Sequence, residues 1–186
     1  MPSSKTLETS QWVPYPVELV FAFFANPGNL PHVMPKWQQA RVESSRLIAP
    51  PPRPRAADPA LRFQSPAAGV GSEMAVSFRP IPNIPFRIGW VARITEFVWN
   101  GHFCDEQLQG PFASWKHCHR IVSETREGAA GTLIADELEY RLPLGFLGSI
   151  AHGLFVQRQL EATFAYRQQR IEEILPVAAR QASRRS

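Results

Sequence analysis

The chain has 186 residues, 44% hydrophobic and 11% aromatic, with a formal charge of +4. That is enough apolar material for one domain with a real core, and it excludes wholesale disorder. No apolar run reaches the length of a membrane span, and the N-terminal MPSSKTLETSQWV has neither the basic nor the apolar region of a secretion signal.

A cytoplasmic location is therefore expected. Part of the basic excess sits in Arg46, Arg53, Arg55 and Arg62, and in Arg180, Arg184 and Arg185. These lie in a linker and a tail rather than on a folded face, which argues for solubility and against nucleic-acid binding. Two cysteines, Cys104 and Cys118, make no disulfide framework and are expected as free thiols in a reducing compartment.

Residues 5–13 mix β-branched and polar side chains and read as a first strand. Pro14 and Pro16 end it. The run VELVFAFFA, 17–25, places Val17, Val20, Phe21 and Phe24 at helical spacing after a proline, which suits a short buried helix. Asn26-Pro27-Gly28-Asn29 stops it, and a second short helical turn is expected over 30–34. Residues 39–48 read as a strand. The Pro/Arg-rich stretch 49–68 reads as a mobile insertion that does not pack.

The pattern then becomes all strand: 72–78, 86–99, 102–108, 112–124 and 132–142. Asn100-Gly101, Gln109-Gly110-Pro111 and the polar segment 125–131 supply the turns of an antiparallel meander. From Leu147 to Leu175 an apolar stripe runs through Ile150, Leu154, Val156, Leu160, Phe164, Ile171 and Ile174. This is one long amphipathic helix, with Pro176 ending it and 176–186 left as a disordered basic tail. The expected class is α+β: one domain over 5–175, a curved antiparallel sheet wrapped around a long C-terminal helix, two short helices after strand 1, and a hollow between sheet and helix.

The segments VELVFAFFANPGNLPHVMP, WVARITEF, FCDEQLQGPFASWKHCHRI and TLIADELEYRLPLGFLGSI resemble the START-like or SRPBCC superfamily, which includes polyketide cyclase/dehydrase-like and lipid-transfer proteins. The likeness covers roughly 5–175 and resembles the bacterial ligand-binding branch. It implies the helix-grip fold and an internal cavity for a hydrophobic molecule. It does not choose among carriers, cyclases, hydrolases and regulators.

Side chains alternate across a strand. In 112–124, Lys116 and Arg120 should face water, so Trp115, His117, His119 and Ile121 should face inward and Cys118 outward. In 132–142 the inward row is Thr132, Ile134, Asp136, Leu138 and Tyr140. A turn at Gly110-Pro111 would set Asp105 against His117, Phe103 against His119, Gln107 against Trp115 and Cys104 against Cys118. The next turn would set His119 by Asp136 and Trp115 by Tyr140. An inward patch of Asp105, His117, His119 and Asp136 results, ringed by Trp90, Phe103, Trp115 and Tyr140.

Such a patch has three readings. It is a satisfied polar network, because buried polar groups need partners. It is the polar end of an apolar ligand pocket lined by Trp90, Phe103, Asp105, Gln107, Trp115, His117, His119, Asp136, Leu138, Tyr140 and Phe155. Or it is an acid–base pair, a histidine oriented by Asp105 or Asp136, in a cyclase-, dehydratase- or hydrolase-type enzyme. His117-x-His119 with two aspartates has ligand types suited to zinc. No Cys pair or HExxH accompanies it, so neither metal nor cofactor is expected. His32 and His152 stand alone. The leading expectation is a carrier or sensor of a hydrophobic or aromatic small molecule, monomeric or dimeric. The rivals are the enzyme and a protein-interaction module docking through 49–68.

Overall fold

The structure is a computed structural model that describes residues 4–56, 65–83, 85–143 and 150–183, without the side chains of 150–152 and 181–183. The elements follow the expected order. Strand β1 (Lys5–Val13) leads to helix α1 (Val17–Phe24), a 3₁₀ turn (Pro27–Asn29), helix α2 (Leu30–Val33) and a second 3₁₀ turn (Lys36–Gln38). Then come β2 (Arg41–Arg46), β3 (Glu73–Phe78), β4 (Ile88–Val98), β5 (His102–Gln109), β6 (Ser114–Arg126), β7 (Ala129–Arg141) and helix α3 (Ile150–Ser183).

All seven strands form one curved sheet, ordered β1-β7-β6-β5-β4-β3-β2, and the neighbours pair antiparallel. Consecutive strands from β2 to β7 meander, as hairpin connections dictate. β1 then adds to the free edge of β7. The alternation in β7 shows how sequence sets the faces. Thr132, Ile134, Asp136, Leu138 and Tyr140 are buried, while Glu137, Glu139 and Arg141 are exposed.

α1 buries Val17, Val20 and Phe21, and its Phe21 ring meets Phe97 at 5.4 Å and Phe103 at 5.9 Å, both nearly edge-on. Ile171 and Leu175 of α3 join these rings with Ile121 and Ile134 in one core. A second cluster gathers Leu138, Tyr140 and Phe164 with the half-buried Phe112, Trp115 and Leu160. α3 thus crosses the sheet's inner face and grips both clusters.

Four expectations need correction. The last hairpin is tighter than a seven-residue turn: β6 and β7 run up to Glu127-Gly128, whose φ values of 49° and 80° are the two positive angles a two-residue hairpin turn needs. α3 continues through Pro176 to Ser183. A proline removes one helical N–H, but Leu175 is fully buried before it, and Ala178, Ala179, Arg180, Gln181 and Ala182 after it favour helix.

The flanks of the 49–68 insertion are seated on the fold. Trp99 Nε1 donates to the Pro51 carbonyl at 2.7 Å, the Arg53 guanidinium lies 4.4 Å from the Trp99 ring centre, and Ser65 Oγ donates to the Ala22 carbonyl at 3.2 Å. Proline leaves carbonyls free to accept, so a Pro-rich strand can dock where it cannot join a ladder. Gly69 lets it close: a Cβ there would sit 2.6 Å from Pro50. The core of the insertion, 57–64, lies outside the described residues.

Finally, Cys104 and Cys118 are joined as a disulfide, not left as free thiols. They are direct cross-strand partners with Cα atoms 4.1 Å apart. The expectation of thiols rested on compartment alone, whereas the register puts the sulfurs in contact.

Candidate functional site: a histidine–aspartate network under an arginine

The register brings the expected residues together. Asp105 pairs with His117 and Phe103 with His119 across β5–β6, and His119 pairs with Asp136 and Trp115 with Tyr140 across β6–β7. Both imidazoles turn toward α3: the His117 ring lies 5.3 Å from Phe164, and Arg167 Nη2 lies 3.2 Å from His119 Nδ1. His117, His119 and Asp136 are 6%, 5% and 6% exposed.

Asp136 is the hub. Its Oδ1 sits 2.6 Å from His119 Nδ1, 3.1 Å from His117 Nε2 and 3.6 Å from Arg167 Nη2. A carboxylate oxygen at 2.6 Å requires a proton on the facing nitrogen, so we assign His119 as the Nδ1–H tautomer and His117 as Nε2–H; Arg167, which can only donate, then pairs with the Asp136 carboxylate rather than with His119 Nδ1. Burial alone would raise the Asp136 pKa, but Arg167, His119 and the two hydrogen bonds outweigh it and hold the group well below the usual carboxylate range. His119 is pushed down to about 3, by burial first and then by the neighbouring His117 and Arg167. It is a neutral imidazole at physiological pH.

Asp105 behaves differently. Its Oδ1 is 3.9 Å from His117 Nδ1 and 3.9 Å from His119 Nε2, beyond hydrogen-bond range. Burial raises its pKa against the pull of His117, Arg167 and the Trp115 indole. The Trp115 N–H is close enough to favour the charged carboxylate, yet it lacks a well-formed acceptor among the described residues.

Beyond Trp115 the inner face turns aromatic. Trp90 meets Trp115 at 4.6 Å and Phe112 at 5.7 Å, and Phe112 meets Tyr140 at 5.6 Å. Trp90, Phe112 and Trp115 are only half-buried. Leu142 packs on this tier, and the link from there to α3 lies outside the described residues.

Other candidates fall elsewhere. Gln107 spends its amide on the β5–β6 turn, with Nε2 donating to the Phe112 carbonyl at 2.8 Å. Leu138 and Tyr140 are fully packed. Phe155 is 41% exposed on α3, nine residues and so about 13 Å along the axis from Phe164. The side chain of His152 lies outside the described residues. A separate cleft of about 590 Å³, lined by Pro50–Arg53, Ser65–Ala67 and Trp99, sits at the insertion.

Sequence reasoning missed Arg167 and Phe24. The Arg167 guanidinium lies 4.9 Å from the Phe24 ring centre, which closes the network from above. The signal was present: Arg167 falls three residues after Phe164 and four before Ile171, so a charge stands on the apolar stripe.

With this geometry in hand, the comparisons decide the family. The model for polyketide cyclase/dehydrase and lipid transport proteins matches residues 13–168. The chain belongs to that family. Among solved structures it is similar to the Zhui aromatase/cyclase from Streptomyces sp. R1128, at 13% identity and TM-score 0.64 over 96% of each chain. It is also similar to TTHA0849 from Thermus thermophilus, at 17% identity and TM-score 0.59 over 94% of this chain and 99% of that one. Ara h 8.0201 matches at 12% identity and TM-score 0.53 over 92% and 99%. At these identities the likeness shows the shared helix-grip fold. No curated protein matches the chain by sequence. No described helix is long and apolar enough to cross a membrane.

Proposed function

We propose that this family member binds a hydrophobic or aromatic small molecule on the sheet's inner face, with its apolar body against Trp90, Phe112 and Trp115 and a polar group toward Asp105. One observation carries this reading. The same inner face that closes completely around Phe21 and Ile121 leaves its aromatic tier half-buried beside the half-buried Asp105 carboxylate. An apolar guest covering those rings gains roughly 25 cal/mol per Å² before ordering costs. Asp105 and the unsatisfied Trp115 N–H would fix its orientation.

Native mass spectrometry of freshly purified protein should show a co-purifying mass. Titration with a fluorescent naphthalene sulfonate should quench tryptophan emission, and Trp90→Ala with Trp115→Ala should weaken that binding roughly tenfold or more, since each ring removes on the order of 1.5 kcal/mol of burial. A protein that binds no apolar probe, or variants that bind it as tightly as the wild type, would sink the reading.

One observation favours catalysis as a second reading. Burial shifts Asp105 toward the range where a carboxyl both takes and returns protons. Carrier and enzyme part on His117→Gln with His119→Gln, which abolishes turnover in an enzyme but leaves a carrier's affinity within a few-fold.

A further inference from the structure

The short imidazole–carboxylate contacts of the network run to Asp136, and the long ones to Asp105. A polar cluster that existed only to satisfy itself would close its imidazole–carboxylate distances to about 2.7–2.9 Å. At Asp136 the distances are 2.6 and 3.1 Å, within hydrogen-bond range, and at Asp105 both stay at 3.9 Å. The tautomers explain what faces that gap. Each imidazole gives its N–H to Asp136, so the lone pairs of His117 Nδ1 and His119 Nε2 converge with a carboxylate oxygen of Asp105. The three donor groups lie within 4.8 Å of one another.

We propose that His117, His119 and Asp105 form a binding site for a divalent transition-metal ion, zinc by donor type, with Asp136 as the outer carboxylate that orients both imidazoles. Two imidazole nitrogens and a carboxylate oxygen are the donor set such ions take. Ligating histidines regularly pass their other N–H to a carboxylate, which fixes the ring and raises its basicity. Here one carboxylate does this for both rings.

The three donors stand in an open triangle that an ion would draw in. Ligand atoms about 2.0–2.1 Å from a tetrahedral centre lie roughly 3.3 Å apart, so the 3.9 Å edges at Asp105 need to contract by about 0.6 Å. Rotation of the Asp105 side chain, on the half-buried rim of the cluster, shortens its two edges, and the two imidazole nitrogens, within 4.8 Å of one another, draw together around the ion. Charge argues the same way: two carboxylates, Asp105 and Asp136, face a single guanidinium, Arg167. Three protein ligands leave a coordination position open, beside the Trp115 edge of the aromatic tier. The site does not depend on the ligand reading, since an ion is held there with or without an apolar guest.

The test uses untagged full-length protein, stripped with chelator, dialysed against zinc chloride and counted by elemental mass spectrometry, with Co²⁺ as a spectroscopic substitute. One equivalent per chain is expected. Asp105→Asn and His117→Gln should each weaken affinity by roughly 100-fold or more, above the 10–100-fold that an outer-shell partner is worth. His102→Gln, on the exposed outer surface, should change nothing. Zinc retention near zero in folded wild-type protein, or affinity unmoved in both site variants, overturns the proposal. If the variants do not fold, the wild-type Co²⁺ spectrum decides. An intense visible band from low-coordinate cobalt supports the site, and the spectrum of the free aqua ion overturns it. Zinc uptake and probe binding are read separately, so either can fail while the other stands.

Discussion

The two ends of the sheet's inner face are built from the same residue types and finished differently. At one end Phe21, Phe97, Phe103, Ile121, Ile134, Ile171 and Leu175 leave almost nothing to solvent. At the other, Trp90, Phe112 and Trp115 stack on one another and stay half-buried, and Leu154 and Phe155 on the start of α3 are 49% and 41% exposed. The histidine–aspartate network stands between them. His119 stacks on Phe103 at 4.4 Å on the closed side, and His117 meets Trp115 at 6.2 Å on the open side. Aromatic content alone therefore does not distinguish core from site. What distinguishes them is how much covers the rings: α1 and the second half of α3 seal one end, while at the other α3 supplies Val156, Leu160 and Phe164 and leaves Trp90, Phe112 and Trp115 half-buried.

The comparison breaks most sharply under truncation. Phe21→Ala opens a cavity in a layer that cannot collapse and should cost about 3–5 kcal/mol. Trp90→Ala removes a ring that already meets solvent and should cost about 1–2 kcal/mol. Urea unfolding of both variants checks this. Equal losses would mean that the aromatic tier is core and not a site. A smaller effect separates the two faces of β5 and β6. The Cys104–Cys118 bridge closes a 14-residue separation on the outer face, so its reduction should lower stability by about 3 kcal/mol, leaving the inner network in place. A midpoint unchanged by reductant would show that the thiols are not joined in the purified protein.

Much of this was legible in the chain. Alternation assigned the faces of β6 and β7, because Lys116, Arg120, Glu137 and Glu139 mark the wet side so plainly that His117, His119 and Asp136 had only one place to go. Hairpin turns then set the register and with it every cross-strand partner of the network. What lay beyond reach was anything contributed by a second layer. Arg167 sits in a helix whose rotation over the sheet no strand pattern gives, and the seating of the Pro-rich flanks depends on Trp99 being free to donate. The division of labour between the two aspartates was also hidden. Sequence gives Asp105 and Asp136 the same standing, and only distance shows that one is bonded and the other is not.

That division should be visible in acid. His119 is neutral when folded, with a pKa held down to about 3, against about 6.5 unfolded. The unfolded chain thus takes up a proton that the native state refuses, and stability is present above pH 6.5 and lost as pH falls below it. The slope approaches one proton, about 1.4 kcal/mol per pH unit. Asp105 has the opposite sign. Its raised pKa makes the native state protonate first, which offsets part of the loss at lower pH. Asp136 acts only below the unfolded carboxylate range, where its bonds to His117, His119 and Arg167 are surrendered. The window that reads His119 is therefore pH 7.5 to 5.5, where its contribution of about 1.4 kcal/mol should disappear. His119→Gln should flatten that slope whatever it does to stability at pH 7.5, because glutamine has no proton to take. A wild-type slope near zero, or one that His119→Gln leaves unchanged, would show that the imidazole is not held neutral beside Asp136 and Arg167.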